Sequence, residues 1–254
     1  MKTTKESTMS PAKQILYSLL AIFFVTLYFE FSDLDLWIQS LFYDFSRQSW
    51  LLSIEGNPWR HILLYDAPKK GLVLLEISIL ASLLFFRKHA LVQKYHSGLL
   101  IVMLTLPLGP SVVSSLKGST NVACPYALTQ YGGDTPYTRL FERYPDGKKP
   151  AKQQRCFPAG HASGGFALLA LYFLPQSIRR RRQMVALALS VGWTMGMYKM
   201  LLGHHFFSHT LISMILCWLV ANCIALIVTP HRLYEHPKQA RSSESVDAST
   251  LATD

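Results

Sequence analysis

Charged side chains are scarce in this sequence. Only 16% of its 254 residues are Asp, Glu, Lys or Arg, against roughly a quarter in an average soluble domain. Half of the residues are hydrophobic, and the mean hydropathy is positive. This balance does not suit a single soluble core, and it favours a membrane protein.

Acidic residues are particularly few. There are 15 Asp and Glu against 25 Lys and Arg, which gives a formal net charge of +10. Because the basic residues form short runs beside apolar segments, we interpret them as topology signals and lipid-headgroup contacts, and we expect no nucleic-acid partner. The sequence also contains no glycine-rich phosphate loop, no zinc-finger spacing and no internal repeat.

Six apolar segments reach or approach the length of about 20 residues that crosses a bilayer. They cover residues 15–31, 71–86, 97–116, 161–174, 184–202 and 207–229. No small-residue cleavage site follows the first, so we expect a retained span there rather than a signal peptide. The sequence therefore predicts an all-α fold, a six-transmembrane-helix bundle with a periplasmic loop between helices 3 and 4.

Basic residues indicate the orientation of the bundle. Clusters at 2–13, 87–94, 179–182 and 232–241 all fall on one side of six spans, which the positive-inside rule assigns to the cytoplasm. Both termini are then cytoplasmic. We predict a membrane domain at 1–235 and a disordered cytoplasmic tail, rich in Ser and Ala, at 236–254. The outer loops also carry many positive charges, which would have a purpose if they bind an anion.

The first outer loop, residues 32–70, contains several aromatic side chains of the kind that favours the membrane interface. They are Trp37, Phe42, Tyr43, Trp50 and Trp59. Part of this loop fits an amphipathic helix lying on the outer leaflet. An ordinary loop with aromatic anchors fits equally well.

The four cysteines form two pairs in the sequence. Cys217 and Cys223 lie within the last apolar segment and are interpreted as buried small hydrophobes. Cys124 and Cys156 bound the second outer loop, and in an oxidising periplasm we expect a disulfide between them, with two free thiols as the alternative. Closing a loop of this length contributes roughly 3–4 kcal/mol by the chain-entropy estimate. We expect no metal site, because no second thiolate pair lies nearby.

Three polar segments fall at one membrane depth on the outer side. They are 117–125 (KGSTNVACP), 157–163 (FPAGHAS) and 199–209 (KMLLGHHFFSH). Their residues suit phosphoryl transfer, because Lys117 and Lys199 supply cations for phosphate oxygens. The helix start at Gly160 offers free N–H groups to an anion and permits a close approach. One neutral imidazole can attack phosphorus while a second protonates the leaving alcohol.

In their order and spacing, the three segments resemble the signature of the type 2 phosphatidic acid phosphatase superfamily. That signature reads Lys-x6-Arg-Pro, then Pro-Ser-Gly-His, then Ser-Arg-x5-His-x3-Asp. The resemblance implies that His205 is the nucleophile and His161 the general acid. It also implies that Lys117, Lys199 and the backbone at Gly160 bind the phosphate, without a metal or other cofactor.

The sequence departs from this signature at several positions. Cys124 stands in place of an arginine, Lys199 in place of another arginine, Ala159 in place of a serine and His209 in place of the aspartate that orients the nucleophile. The Cys-Pro and Cys-Phe-Pro-Ala-Gly-His context, with a Tyr-Gly-Gly-Asp segment between them, resembles a bacterial subgroup of the superfamily that shares these changes.

Other residues are candidates to replace the missing groups. Arg155 or Arg139 of the outer loop would supply the guanidinium. His209, Glu76 or Asp134 would orient His205. For Glu76 we expect either an intramembrane ion pair with Lys199 or separate access of the two side chains to the interface.

The resemblance implies a phosphatase of the bacterial inner membrane whose active site faces the periplasm. It would hydrolyse the terminal phosphate of a lipid phosphate or pyrophosphate through a phosphohistidine intermediate. Undecaprenyl pyrophosphate, phosphatidylglycerol phosphate, phosphatidic acid and the lipid A phosphate are candidate substrates. The alternatives are a lipid phosphotransferase that uses the same site and a catalytically silent protein that binds lipid phosphates.

Overall fold

A computed structural model describes residues 9–52, 59 and 62–229 of the chain. The predicted cytoplasmic tail at 236–254 lies outside these residues. Within them are seven α-helices, which we number in chain order: α1 (Pro11–Glu30), α2 (Leu34–Ser40), α3 (Ala67–Phe85), α4 (Ala90–Ser119), α5 (Gly160–Ala167), α6 (Ile178–Leu201) and α7 (Phe207–Val228). A π-helical turn, Ile62–Asp66, leads into α3.

The remaining regular structure is short. Strands β1 (Tyr43–Asp44) and β2 (Ser49–Trp50) form an antiparallel hairpin in which Tyr43 pairs with Trp50. Three 3₁₀ segments occur at Pro125–Ala127, Thr129–Tyr131 and Leu168–Phe173. The last of these continues directly from α5.

Each of the six apolar segments is helical, but only four of the described helices are long and apolar enough to cross a membrane. These are α1, α4, α6 and α7. Helix α3 is 19 residues long, yet it carries Lys69, Lys70 and Glu76. Helix α5 has eight residues and its 3₁₀ continuation six, so together they are shorter than a typical span. Six spans therefore remain a prediction.

Helix α5 lies at the centre of the bundle, where α4, α6 and α7 pack around it. It is built largely from small residues, and a Cβ atom added to Gly165 would lie 2.7 Å from the Cα atom of Gly192 in α6. The backbones of α5 and α6 are therefore almost in contact. A helix enclosed by protein in this way needs no apolar surface facing lipid. This explains why α5 is short and consists largely of small residues.

The periphery of the bundle is apolar. Helix α1 packs along α7, and its other side exposes large hydrophobic side chains, among them Leu16, Leu19, Phe23 and Phe24. An apolar exterior of this extent is expected of a surface in contact with lipid rather than with water.

Four helix ends meet at one end of the bundle: the C-termini of α4 and α6 and the N-termini of α5 and α7. The first loop contributes to this end through α2 and the hairpin. Helix α2 is held against the rest of the protein through its buried polar residues Asp35 and Gln39, and its expected position on the outer leaflet stays a prediction. The amide of Gln39 donates a hydrogen bond to the Met200 carbonyl at the end of α6 (2.9 Å).

The turn between α6 and α7 depends on Gly203. Its φ of +71° lies in the left-handed region that side chains disfavour, and an added Cβ atom would collide with the indole of Trp50. The turn is also held by hydrogen bonds from the Tyr126 amide to the Gly203 carbonyl (2.9 Å) and from the His204 amide to the Lys199 carbonyl (2.8 Å). Segments far apart in sequence therefore fix the turn that carries His204 and His205.

Substitution Gly203→Ala should destabilise the protein by about 2–4 kcal/mol, because it adds left-handed backbone strain to a collision with Trp50. The thermal midpoint of the purified protein in detergent measures this effect. Gly147→Ala is the matched control, since Gly147 also has a positive φ (+74°) but a Cβ atom there meets nothing within 4 Å.

We expect Gly147→Ala to cost only about 1–2 kcal/mol. Gly118→Ala, in open space within α4, should be neutral or slightly stabilising. Equal losses for Gly203→Ala and Gly147→Ala would show that the packing of Trp50 on the turn adds nothing.

Candidate active site

His161 and His205 meet at this end of the bundle although 44 positions separate them in the sequence. His161 is the second residue of α5, and His205 lies in the turn that precedes α7. Their ring centroids are 5.8 Å apart. The side chain of His161 is half-buried, whereas His205 is only 2% exposed. The two imidazoles are therefore close enough to act on neighbouring atoms of one substrate.

Lysine side chains surround the two histidines. Lys117, in the last turn of α4, lies over the start of α5, where a Cβ atom on Gly160 would be 3.5 Å from its Nζ atom. Lys199, in the last turn of α6, is 5% exposed. The charges that act on His161 are those of Lys199, Lys117, His204 and Lys69, the last from the first turn of α3.

This arrangement concentrates positive charge. No described carboxylate is among the groups that act electrostatically on His161 or His205. The N-terminus of α5 adds the partial positive charge of a helix start and its free N–H groups. Cations gathered at a helix N-terminus repel one another unless an anion joins them, so the geometry favours binding of a phosphate.

The environment keeps His205 neutral. Burial lowers its pKa well below the usual value of 6.5, and the neighbouring charges of His209, Lys117, His161 and His204 lower it further. A neutral imidazole retains a nitrogen lone pair, which a nucleophile requires. Burial, followed by the charge of Lys199, also lowers the pKa of His204.

A disulfide between Cys124 and Cys156 lies directly against His205. The Cα atoms of the two cysteines are 5.1 Å apart. The Sγ atom of Cys156 is 3.5 Å from Nδ1 of His205 and 2.9 Å from the carbonyl oxygen of His204. The cysteine that occupies the arginine position of the signature thus belongs to a crosslink in contact with the site.

His209 packs beside His205, with ring centroids 6.0 Å apart. No hydrogen bond joins the two side chains in the described structure. The ring of His209 interacts with the main-chain carbonyl of Cys156, and its Nδ1 atom is buried without a hydrogen-bond partner. His209 also lines a small cavity of about 40 Å³ that it shares with Asp35 and Arg139.

Neither candidate arginine is among the charged groups that act on His161 or His205. The guanidinium of Arg139 forms an ion pair with Asp33 (2.7 Å), and its charge is not among those acting on His161 or His205. Arg155 is exposed, and it does not act on either histidine. The local cations are lysines.

The acidic candidates also lie elsewhere. Among the described residues, no ion pair joins Glu76 to Lys199, and the carboxylate whose charge acts on Lys199 is that of Asp66. Asp134 is exposed and accepts a hydrogen bond from the hydroxyl of its neighbour Thr135 (3.2 Å). Neither Glu76 nor Asp134 acts on His205.

Three residues that support the site were missed in the sequence. Gln39 and Asp35 come from α2, in a loop whose polar residues carry no periodic signal. Lys69 was detectable in principle, because the pair Lys69–Lys70 stands just before an apolar segment at the outer side. The contribution of Asp35 and Gln39 depends on how the first loop folds back over the bundle, which the sequence pattern does not reveal.

Asp35 fixes the start of α7. Its carboxylate accepts hydrogen bonds from the Ser208 amide (2.9 Å) and, at short range, from the Ser208 hydroxyl. A carboxylate at a helix N-terminus is favourable because it satisfies free N–H groups and opposes the helix dipole. Burial nevertheless raises the pKa of Asp35 to about 6, against the opposing effect of hydrogen bonds from Ser208 and Phe207.

Cys156, His205 and His209 place possible metal-ligand atoms within 4.8 Å of one another. In this arrangement the Cys156 sulfur belongs to the disulfide and is not a thiolate, which is the form that binds metals. The donor set of two imidazoles and a disulfide sulfur therefore does not fit a zinc site.

The comparison with protein families decides the relationship of the chain. A family model, that of the PAP2 superfamily, matches residues 98–232. The chain belongs to the PAP2 superfamily. Membership implies phosphatase-type activity on phosphate esters. No curated protein and no solved structure matches the chain.

The PAP2 match begins within α4 and extends through α7, and it includes Lys117, His161, Lys199 and His205. The first part of the chain lies outside it, including α1, α2, the hairpin and α3. Asp35, Gln39, Trp50 and Lys69 all belong to this first part. The PAP2 portion therefore supplies His161 and His205. The preceding portion holds the turn that carries His205 in place and adds Lys69.

The raised pKa of Asp35 predicts a dependence of stability on pH. Because its pKa is higher in the folded than in the unfolded protein, the ionised carboxylate opposes folding, and stability falls as the pH rises from about 4 to about 6. At pH values above that range, the raised pKa of Asp35 lowers the free energy of unfolding by roughly 3 kcal/mol. Asp35→Asn keeps a hydrogen-bond acceptor but has no charge, so it should lack this fall.

Thermal midpoints of wild type and Asp35→Asn at several pH values test this prediction. The thermal midpoint of Asp35→Asn minus that of wild type should increase between pH 4 and 6 and should be constant at higher pH. Asp134→Asn, at an exposed position, controls for the loss of one negative charge. A difference between Asp35→Asn and wild type that is independent of pH would contradict the prediction.

Proposed function

We propose that the protein is a membrane phosphatase that removes the terminal phosphate of a lipid phosphate or pyrophosphate through a phosphohistidine intermediate. The observation that carries the proposal is the 5.8 Å separation of the His161 and His205 rings among three lysines. Two separate sequence motifs thereby meet in an arrangement suited to transferring a phosphoryl group.

His205 is the proposed nucleophile. Burial lowers the pKa of His205 well below its usual value, which favours the neutral imidazole and its nitrogen lone pair. This nitrogen attacks phosphorus, and the bond between phosphorus and the leaving oxygen breaks. The phosphoryl group is then attached to His205.

His161 is the proposed general acid and base. Its half-buried ring at the start of α5 is more accessible than that of His205, which suits a group that exchanges protons with the substrate and with water. His161 begins the cycle protonated, a state that a bound phosphate favours by offsetting the neighbouring lysine charges, and it donates this proton to the leaving oxygen in the first step. In the second step it takes a proton from the water that attacks the phosphohistidine and releases phosphate.

Lys117, Lys199 and Lys69, together with the backbone at Gly160, are the proposed phosphate-binding groups. Their charges are well suited to the negative oxygens of the transition state. Lysines act as point charges and lack the planar fork of arginine. We therefore expect this site to hold the phosphate by charge and by backbone N–H groups, and not by paired guanidinium contacts.

The apolar exterior of the bundle supports a lipid substrate, because a lipid in the bilayer can present its headgroup to the end where the histidines lie. In the proposed arrangement, residues 1–235 form a six-span domain of the bacterial inner membrane. The active site faces the periplasm and both termini are cytoplasmic. The Cys124–Cys156 disulfide supports this orientation, since disulfides persist in oxidising compartments.

A second candidate is a catalytically silent protein that binds lipid phosphates. The observation that favours it is the burial of the His205 ring, which is only 2% exposed and which must reach phosphorus for any transfer to occur. Such a protein would keep the lysine site and bind the headgroup without forming a covalent intermediate.

Phosphate release by the purified protein in detergent–lipid micelles, without added metal, tests the proposal. The panel comprises phosphatidic acid, phosphatidylglycerol phosphate, undecaprenyl pyrophosphate and lipid A phosphate. Wild type should release phosphate from at least one of these lipids, and His205→Ala should abolish the release. His96→Ala, at an exposed histidine in the opposite half of α4, is the matched control and should match wild type.

The same assay examines His161 through the leaving group. His161→Ala should slow release from a lipid phosphate by about 10²–10⁴-fold, because an alkoxide leaves poorly without a proton. The loss should be much smaller with p-nitrophenyl phosphate, whose leaving group needs little protonation. If folded wild type binds the lipids but releases no phosphate, the silent binder is the better explanation.

A further inference from the structure

We propose that the Cys124–Cys156 disulfide is a positioning group of the active site, in which the Cys156 sulfur accepts a hydrogen bond from Nδ1 of His205 and thereby directs the Nε2 lone pair toward phosphorus. This inference rests on the proposed function of His205 as nucleophile. It assigns to a crosslink the orienting role that the superfamily signature gives to an aspartate.

A nucleophilic histidine needs a partner for one ring nitrogen. A neutral imidazole has one N–H and one lone pair, and the hydrogen bond made by the N–H decides which nitrogen carries the proton. Without such a partner neither tautomer is favoured. His205 lacks the aspartate of the signature, because His209 occupies that position.

The contact between sulfur and nitrogen meets this need. The Cys156 Sγ atom lies 3.5 Å from Nδ1 of His205, a distance at which sulfur acts as a weak acceptor. A disulfide sulfur carries no hydrogen, so in this pair only the imidazole can donate. The geometry therefore favours the tautomer with the proton on Nδ1 and the lone pair on Nε2.

None of the other candidate partners makes a hydrogen bond to the His205 ring in the described part of the chain. His209 interacts with the Cys156 carbonyl and makes no hydrogen bond to His205 in the described part of the chain. Glu76 and Asp134 do not act on His205. Asp35 accepts its hydrogen bonds from Ser208 at the start of α7.

The sulfur itself is held firmly. Cys156 is fully buried, and its amide donates a hydrogen bond to the Val122 carbonyl (3.1 Å). Its Sγ atom also lies against the His204 carbonyl at 2.9 Å. On the other side, the Ala159 amide donates to the His209 carbonyl (3.1 Å). The crosslink and the His205 turn are thus parts of one packed unit.

A neutral acceptor has a chemical consequence. When Nε2 attacks phosphorus, the bond from phosphorus to the leaving oxygen breaks and His161 protonates that oxygen. The phosphorylated imidazole then carries a positive charge with its proton on Nδ1. A carboxylate would stabilise this cation strongly, whereas a disulfide sulfur positions it with little charge stabilisation. The phosphohistidine is then readily discharged to water.

Two double variants separate the acceptor from the crosslink. Cys124→Ala/Cys156→Ser and Cys124→Ala/Cys156→Ala both lack the disulfide, but only the first keeps an acceptor atom beside Nδ1. We expect kcat for phosphate release to fall about tenfold in the alanine variant, with KM within about twofold of wild type, because one orienting hydrogen bond is lost. The serine variant should recover several-fold of this loss.

The matched control is Cys223→Ser, which changes a half-buried thiol in α7 and leaves the crosslink intact. It should match wild type in kcat and KM. Thermal midpoints of all variants show how much stability the crosslink contributes in each case. Equal kcat values for the serine and alanine variants would overturn the acceptor role and leave the disulfide a crosslink only.

The tautomer of His205 provides a readout that does not require activity. Histidine ¹⁵N NMR of the intact protein, assigned by comparison with His205→Ala, should show a protonated Nδ1 and an unprotonated Nε2 in wild type. The alanine variant should lose this preference. A protonated Nε2 in wild type would overturn the proposal even if the variants fail to fold.

The two readouts also separate this proposal from the proposed function. If wild type releases no phosphate from any substrate but shows the Nδ1–H tautomer, the phosphatase proposal fails and the positioning contact stands. If wild type is active and its His205 carries the proton on Nε2, the function stands and the positioning contact fails.

Discussion

The His205 imidazole owes its position to one turn between α6 and α7, and the rest of the site is arranged around that turn. Gly203 permits the left-handed conformation, and Trp50 closes over it. The Met200 carbonyl just before the turn is bonded to Gln39, and the disulfide lies against His205 itself. Gly203 has no side chain with which to anchor the turn. Neighbouring groups from distant parts of the chain therefore hold it in place.

Charge is the second constraint on the site. Lys117, Lys199 and Lys69 act on His161 beside the N-terminus of α5, whereas Asp66 is the carboxylate that acts on Lys199. The candidate arginines Arg139 and Arg155 are not among the charges that act on His161 or His205, and Arg139 is paired with Asp33. Burial does most to lower the pKa of His205, and Lys117 adds to this effect, so one of the proposed phosphate-binding lysines also favours the neutral nucleophile.

The sequence predicted the parts of this protein that are encoded locally. The six helical segments follow from apolar runs, and the meeting of His161 with His205 follows from three motifs at one membrane depth. The partner of Arg139 could not be predicted, because Asp33 lies 106 residues away in a loop without periodicity. Asp35 and Gln39 were missed for the same reason. The expected pairing of Glu76 with Lys199 assumed that similar depth means contact, although helix rotation also decides which side chains meet.

Trapping of the phosphoenzyme tests the central claim most directly. Protein turning over a lipid phosphate would be denatured in alkali at early time points, conditions in which phosphohistidine survives, then digested and examined by mass spectrometry. The account predicts a phosphoryl group on His205 that appears before phosphate is released, is absent from His205→Ala and accumulates in His161→Ala. Steady release of phosphate with no phosphoenzyme at any time, or with the phosphoryl group on another residue, would contradict it.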